Sequence, residues 1–170
     1  ELTKELCLLN KDSESAEFTV TVKIGESKWK RIIRLFRRSR GIEIENIVDW
    51  KERRRLVKAQ YDCNVLTREA VCDTSAGYIK RETHSNTSWQ KARFEVCCHK
   101  WVDLAEQGGG VALINEGKYG VGLCENSMSL SLLRGTVRPD IESDMGKHDF
   151  CYMIMPHSGS FVDAQINNKA

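Results

Sequence analysis

The stretch Phe18-Thr19-Val20-Thr21-Val22-Lys23-Ile24 alternates apolar and polar side chains at every step. A period of two places alternate side chains on opposite faces of an extended chain, so the pattern predicts a half-buried β-strand. The same reading extends outward. Val57, Ala59, Tyr61, Cys63 and Val65 alternate with Lys58, Gln60, Asp62 and Asn64; Met128, Leu130 and Leu132 alternate with Ser127, Ser129 and Ser131. Residues 150–155 are apolar throughout, as in a strand covered on both faces. Weaker strand patterns cover Ile42–Trp50, residues 93–98 and residues 111–114, with glycines and small polar residues between them. Many short strands punctuated in this way predict an all-β fold, an antiparallel β-sandwich, and not a βαβ fold.

At 170 residues the chain can hold one domain with its own core. Apolar residues make up 41% and charged residues 29%, a globular composition. No apolar run approaches the roughly 20 residues of a spanning helix, and no basic-apolar-small leader stands at the start, so no membrane partner is expected. The sequence opens at Glu1 without methionine and reads as a piece of a longer polypeptide. The net charge of +2 neither requires nor excludes a polyanionic partner. Its seven cysteines, Cys7, Cys63, Cys72, Cys97, Cys98, Cys124 and Cys151, form no C-x-x-C pair. An odd count without ordered spacing argues for reduced thiols in a cytoplasmic setting and against a zinc motif.

Residues 28–40 resist the strand reading. They carry seven basic residues and no acid, and Trp29, Ile32, Ile33 and Phe36 fall at helical spacing. That is the pattern of a basic amphipathic helix, a shape used on nucleic acids and membrane surfaces. A strand whose exposed side chains are lysine and arginine fits equally well.

The most polar stretch between strands is Arg81-Glu82-Thr83-His84-Ser85-Asn86-Thr87-Ser88-Trp89. Arg, His and Asn beside an indole are groups that hold sugar hydroxyls or stack on a sugar face, and a loop on a rigid scaffold is where such groups serve. The alternative is a plain surface connection with Trp89 tucked into the core. Asn86-Thr87-Ser88 also fits a glycosylation sequon, relevant only in a secretory setting. Asp140, Asp144 and His148 recur every four residues around Glu142, either as a hard-metal site or as acids capping turns in a connecting loop. His99-Lys100-Trp101-Val102-Asp103-Leu104 offers a histidine and an acid to a site, or a strand end with its indole in the core. Gly108-Gly109-Gly110 lacks the following Lys-Ser/Thr of a phosphate loop.

Ordered blocks from Ile42 onward carry a family resemblance. Val48-Asp49-Trp50-Lys51-Glu52, the Arg81 to Trp89 stretch, Ala92-Arg93-Phe94-Glu95-Val96, the His99 to Leu104 stretch, Lys118-Tyr119-Gly120, Leu130-Ser131-Leu132-Leu133-Arg134 and Pro156-His157 follow one another. Together they resemble the C-terminal part of the family 38 glycoside hydrolases, the α-mannosidases, in their cytosolic and bacterial type. Glu82 departs from the pattern, standing where the family has proline.

The resemblance implies a large enzyme in which an α/β barrel holds zinc, a nucleophilic aspartate and the acid. A helical bundle and galactose-mutarotase-like β-sandwich (supersandwich) domains follow. None of the zinc-binding or catalytic motifs occurs in this sequence, so the resemblance implies no catalytic residue, no metal ligand and no cofactor here, with zinc in the parent enzyme. The partners it implies are the barrel and bundle of the same polypeptide and a mannoside substrate. Arg81, Thr83, His84 and Asn86 become the candidates for substrate-side contacts, with Asn115 and Tyr119 behind them. It also makes residues 28–36 a strand. The function implied is support of a zinc-dependent, retaining α-mannosidase; a carbohydrate-binding module and, below it, a nucleic-acid binder are the alternatives. A sandwich parted from its barrel exposes apolar surface, so self-association is expected.

Overall fold

The structure, a computed structural model, describes residues 4–170. In chain order it forms β1 (Lys4–Lys11), β2 (Ser15–Ile24), β3 (Ser27–Phe36), β4 (Ile42–Trp50), β5 (Leu56–Asp62), β6 (Glu69–Thr74) and β7 (Gly77–Glu82). A short helix α1 (Ser88–Lys91) follows, then β8 (Val96–Cys97), β9 (Trp101–Glu106), β10 (Gly109–Asn115), β11 (Gly120–Cys124), β12 (Ser127–Arg134) and β13 (Gly146–Ser158). The expected all-β class is the one found. Two compact units divide the chain: one runs up to Val57 and takes in Leu133–Met153, the other comprises Lys58–Leu132 and Ile154–Ala170.

In the first unit the strands lie in the order β1-β2-β3-β4-β13, and the three ladders joining β1 to β4 are antiparallel. The alternation of β2 is explained by its partner: Val22 pairs with Trp29 and Val20 with Arg31. Trp29 is the centre of this core. It meets Trp50 and Phe150 edge-on, with ring centroids 6.5 and 6.1 Å apart, the geometry aromatic quadrupoles favour. Its indole N–H donates to Asn46 Oδ1 at 3.0 Å. The buried Asn46 amide donates in turn to the Ile44 carbonyl at 3.1 Å, whereas the buried Trp50 indole N–H has no hydrogen-bond partner.

Residues 28–36 belong to strand β3, and the helix reading is overturned. Helical spacing arose because apolar residues are buried on both faces of one strand. Trp29 faces the aromatic core, while Ile32 is buried on the other face, paired with Thr19 and Glu45. The basic residues are partly spent on the sheet. Arg34 bridges Glu17, Glu43 and Glu45 at 3.0, 2.9 and 2.6 Å, and the Arg31 guanidinium lies 5.3 Å from the Trp29 ring centroid. With the helix gone, the basis for a nucleic-acid reading goes with it.

The loop before β13 caps turns, as its composition allowed. Asp140 Oδ1 accepts the Glu142 N–H at 2.9 Å and Asp144 Oδ2 accepts the Arg134 N–H at 3.2 Å. Gly135 exchanges backbone hydrogen bonds of 2.7 Å with the segment around Arg54 and Arg55. A Cβ at this position would overlap the Glu52 carbonyl, so only glycine allows that approach.

The second unit holds the sheet β10-β9-β6-β7, with the end of β13 beside β10, and the sheet β5-β12-β11-β8. In β12 the alternation is kept: Met128, Leu130 and Leu132 are buried and the intervening serines half-buried. In β9 it is not, because Trp101 to Leu104 are buried at every position. Cys63 and Val65 are buried but lie beyond the end of β5, and of residues 93–98 only Val96–Cys97 is strand.

Candidate functional site

The polar loop hangs from the β6/β7 hairpin of the second unit, in which Glu69 pairs with Glu82 and Cys72 with Ile79. Thr83 is buried, and its role is local. Its N–H donates to Arg68 O at 3.0 Å, its hydroxyl to Thr67 O at 3.0 Å, and its carbonyl accepts the Glu125 N–H at 2.7 Å. Three bonds to backbone in two directions fix where the loop leaves the sheet.

Beyond it, Thr87 caps α1. The Gln90 N–H donates to Thr87 Oγ1 at 3.2 Å while Gln90 Oε1 accepts the N–H groups of Asn86 and Thr87 at 2.8 and 2.9 Å, a reciprocal capping box. The Gln90 amide also donates to Glu82 Oε2 at 2.6 Å. Glu82 therefore ties α1 to the end of β7.

The helix so held buries none of its residues. Trp89 is 85% exposed and Phe94 83% exposed, so the alternative of a plain surface connection with Trp89 tucked into the core does not hold. Phe94 walls a cleft of ≈ 260 Å³ whose lining includes His84, Gln90, Glu95 and Leu123. Glu95 receives the Ser131 hydroxyl at 2.5 Å and pairs with the Lys58 ammonium.

Among the sequence candidates, His84 lines this cleft, half-buried, with Nδ1 buried and without a hydrogen-bond partner. Asn86 is exposed on the loop. Arg81 is half-buried, and its guanidinium bears on the buried Cys72 thiol. The Cys98 thiol, and after it Arg81, draw Cys72 below the usual thiol range against the opposing effect of burial. Cys98 is pushed up, first by Cys72 and then by burial. Both thiols are fully buried, which withholds them from nucleophilic chemistry.

Asn115 and Tyr119 stand elsewhere. The Asn115 amide donates to His99 O at 3.0 Å and its Oδ1 accepts the Lys118 N–H at 2.9 Å, so its polar atoms hold the turn after β10. Tyr119 is exposed, its ring 5.6 Å from that of His99. His99 lines a second cleft of ≈ 530 Å³ with Asp73, Tyr78 and Lys100. The structure thus places Arg81 in β7, Thr83, His84 and Asn86 on the loop that follows it, and Asn115 and Tyr119 by the turn after β10.

One pair escaped the sequence reading. His157 Nε2 and Asp103 Oδ1 lie 2.7 Å apart, with side chains 2% and 0% exposed. Burial pushes the Asp103 carboxyl above its ordinary range, while the hydrogen bond and charge of His157 draw it down. His157 Nδ1 and Asp103 Oδ2 have no hydrogen-bond partner. Enclosed on all sides, the pair joins β13 to β9 and is out of a substrate's reach.

Residues 2–142 match the family described as "Glycosyl hydrolases family 38 C-terminal domain". The chain is 44% identical over 123 residues to Alpha-mannosidase 2C1 of Homo sapiens, covering 72% of this chain and 12% of that protein. It is 41% identical over 128 residues to Alpha-mannosidase G of Dictyostelium discoideum, covering 75% of this chain and 12% of that protein. The chain therefore spans about an eighth of the length of these curated relatives. Among solved structures, that of an alpha-mannosidase from Enterococcus faecalis V583 superimposes with a TM-score of 0.83 at 13% identity, over 97% of this chain and 23% of that one. At that identity the likeness speaks for the fold alone. By the family match over most of its length, the chain belongs to family 38 of the glycosyl hydrolases, as a C-terminal domain.

Proposed function

We propose that the polypeptide carrying this domain hydrolyses α-mannosides with retention of configuration in a zinc-dependent reaction, and that the domain serves as scaffold, its Arg81, His84 and Asn86 edging the sugar site. The observation that carries this reading is the 44% identity over 123 residues to a relative named as an alpha-mannosidase. The site's chemistry agrees with a supporting role. Thr83, Asn115, Gln90 and Glu82 spend their polar atoms on the domain's own loops. Among the described residues no group of three or more His, Cys, Asp and Glu side chains is placed to hold a metal ion. The residues present do not fit zinc, and the proposal assigns it to the rest of the polypeptide. A cytoplasmic setting is part of the proposal; the odd number of cysteines without ordered spacing supports it.

The test is hydrolysis of an aryl α-mannoside. The isolated chain is expected to show no turnover with or without added zinc. The full polypeptide is expected to be active and to lose activity on chelation. Turnover by the isolated chain with zinc, or an intact full polypeptide without turnover, would overturn the reading.

A further inference from the structure

We propose that residues 88–95, which expose Trp89 and Phe94, form the seat on which the remainder of the same polypeptide docks, an assignment that rests on the function proposed above. Of the tryptophans, Trp29, Trp50 and Trp101 are at most 2% exposed, whereas Trp89 is 85% exposed and Phe94, five residues on, 83%. Large aromatics are the residues that anchor interfaces, at centres ringed by polar groups. Glu82, Lys91, Arg93 and Glu95 supply such a ring around the cleft beside Phe94.

The helix that carries Trp89 is held by hydrogen bonds. A four-residue helix that buries nothing has no packing to stabilise it and is far below the length at which propensity suffices. It is held by its capping box and by the 2.6 Å bond from Gln90 to Glu82. Holding the backbone that carries Trp89 in place lowers the ordering cost of binding through that indole.

The occupant follows from the relatives. This chain corresponds to 12% of the length of the human and Dictyostelium proteins, and the family it matches is defined as a C-terminal domain. The protein surface always present beside such a domain is that of its own polypeptide.

The experiment is hydroxyl-radical labelling of the full polypeptide, read by mass spectrometry. Native and urea-unfolded samples are compared, and aryl α-mannoside hydrolysis is measured on the same preparation. Trp89 and Phe94 are expected to label at least about tenfold more slowly in the native protein, in step with Trp29, Trp50 and Trp101, as buried anchors do. Labelling of Trp89 at the rate of an open indole overturns the inference. So does protection that vanishes on dilution, which assigns the face to a second copy, and protection that requires added mannose, which makes it a sugar platform. An active polypeptide with Trp89 open refutes the docking face and spares the proposed function. An inactive one with Trp89 protected does the reverse.

Discussion

Replacing His157 by leucine tests the interior of the second unit. The substitution keeps a side chain of comparable bulk but leaves the Asp103 carboxyl buried without its partner. With side chains 2% and 0% exposed, solvent cannot screen the change. Stranding one member of a buried, hydrogen-bonded His–Asp pair is expected to cost about 3–5 kcal/mol, the scale found when one partner of a buried pair is removed. Against a typical total stability of roughly 5–15 kcal/mol that is a large fraction. With a urea slope of about 2 kcal/mol/M, the midpoint falls by roughly 2 M. Adding Asp103→Leu to His157→Leu removes the stranded carboxyl and recovers most of the loss, because a buried pair exchanged whole for apolar groups is often neutral.

The pH dependence has a definite sign. Burial raises the folded pKa of Asp103 above its ordinary value of 3.8, so the native state holds this proton to higher pH than the unfolded state does. The contribution of this carboxyl is greatest below the unfolded value, declines as pH rises, and reaches its full penalty above the folded pKa. His157→Leu abolishes the downward pull of histidine and stretches that decline to higher pH. A single variant whose urea midpoint at pH 7 stays within about 0.3 M of the parent, or a double variant no better than the single, would refute this account.

Arg34→Met leaves Glu17, Glu43 and Glu45 facing one another without their shared cation. Because the group is a network but still more than a quarter exposed, the expected loss is about 1–2 kcal/mol at low ionic strength and less in 1 M salt. Equal urea midpoints for parent and variant at low salt would contradict it. The isolated chain is expected to self-associate through its uncovered aromatics. Sedimentation velocity should show association that Trp89→Ser/Phe94→Ser weakens, and a clean monomer at high concentration counts against the idea.

Strands with one covered face were legible from the sequence. In β12 buried apolar residues alternate with half-buried serines, so burial and sequence carry the same period, whereas in β2 the polar Thr19 is itself buried. Legibility failed where both faces are occupied. In β3, Trp29 and Ile32 are buried on opposite faces, and their spacing imitates a helix turn. In β9, four consecutive buried residues leave no period to read. The site was legible only in part, for a different reason. Sequence shows that Thr83 and Asn115 carry polar groups, but not that those groups are engaged by the backbone of Thr67 and His99. It shows an indole at position 89 but not that the indole is left exposed. The His157–Asp103 pair is hidden by a separation of 54 residues, which no local pattern spans.

Glu82 shows how a side chain can fix the way a loop leaves a sheet. Position 82 is the last residue of β7, which ends the sheet order and so forms its edge. A proline is tolerated at such a place, since an edge strand can spare an N–H, and its ring fixes φ as the chain turns away. Glutamate gives up that stiffness and supplies a carboxylate in its place, which Gln90 reaches from α1 at 2.6 Å. The two solutions act on the same degree of freedom, the angle at which residues 83–87 leave the sheet. The proline restrains it through the backbone, whereas Glu82 restrains it through a side chain anchored in the helix cap. Thr83 needs that angle to meet both Thr67 and Glu125, and Trp89 needs it to stand where it does. Glu82→Pro should therefore preserve the loop, while Glu82→Ala, with neither ring nor carboxylate, should loosen it. Hydrogen exchange at the amides of residues 86–90 distinguishes them, and equal protection in both variants would show that the capping box alone holds α1.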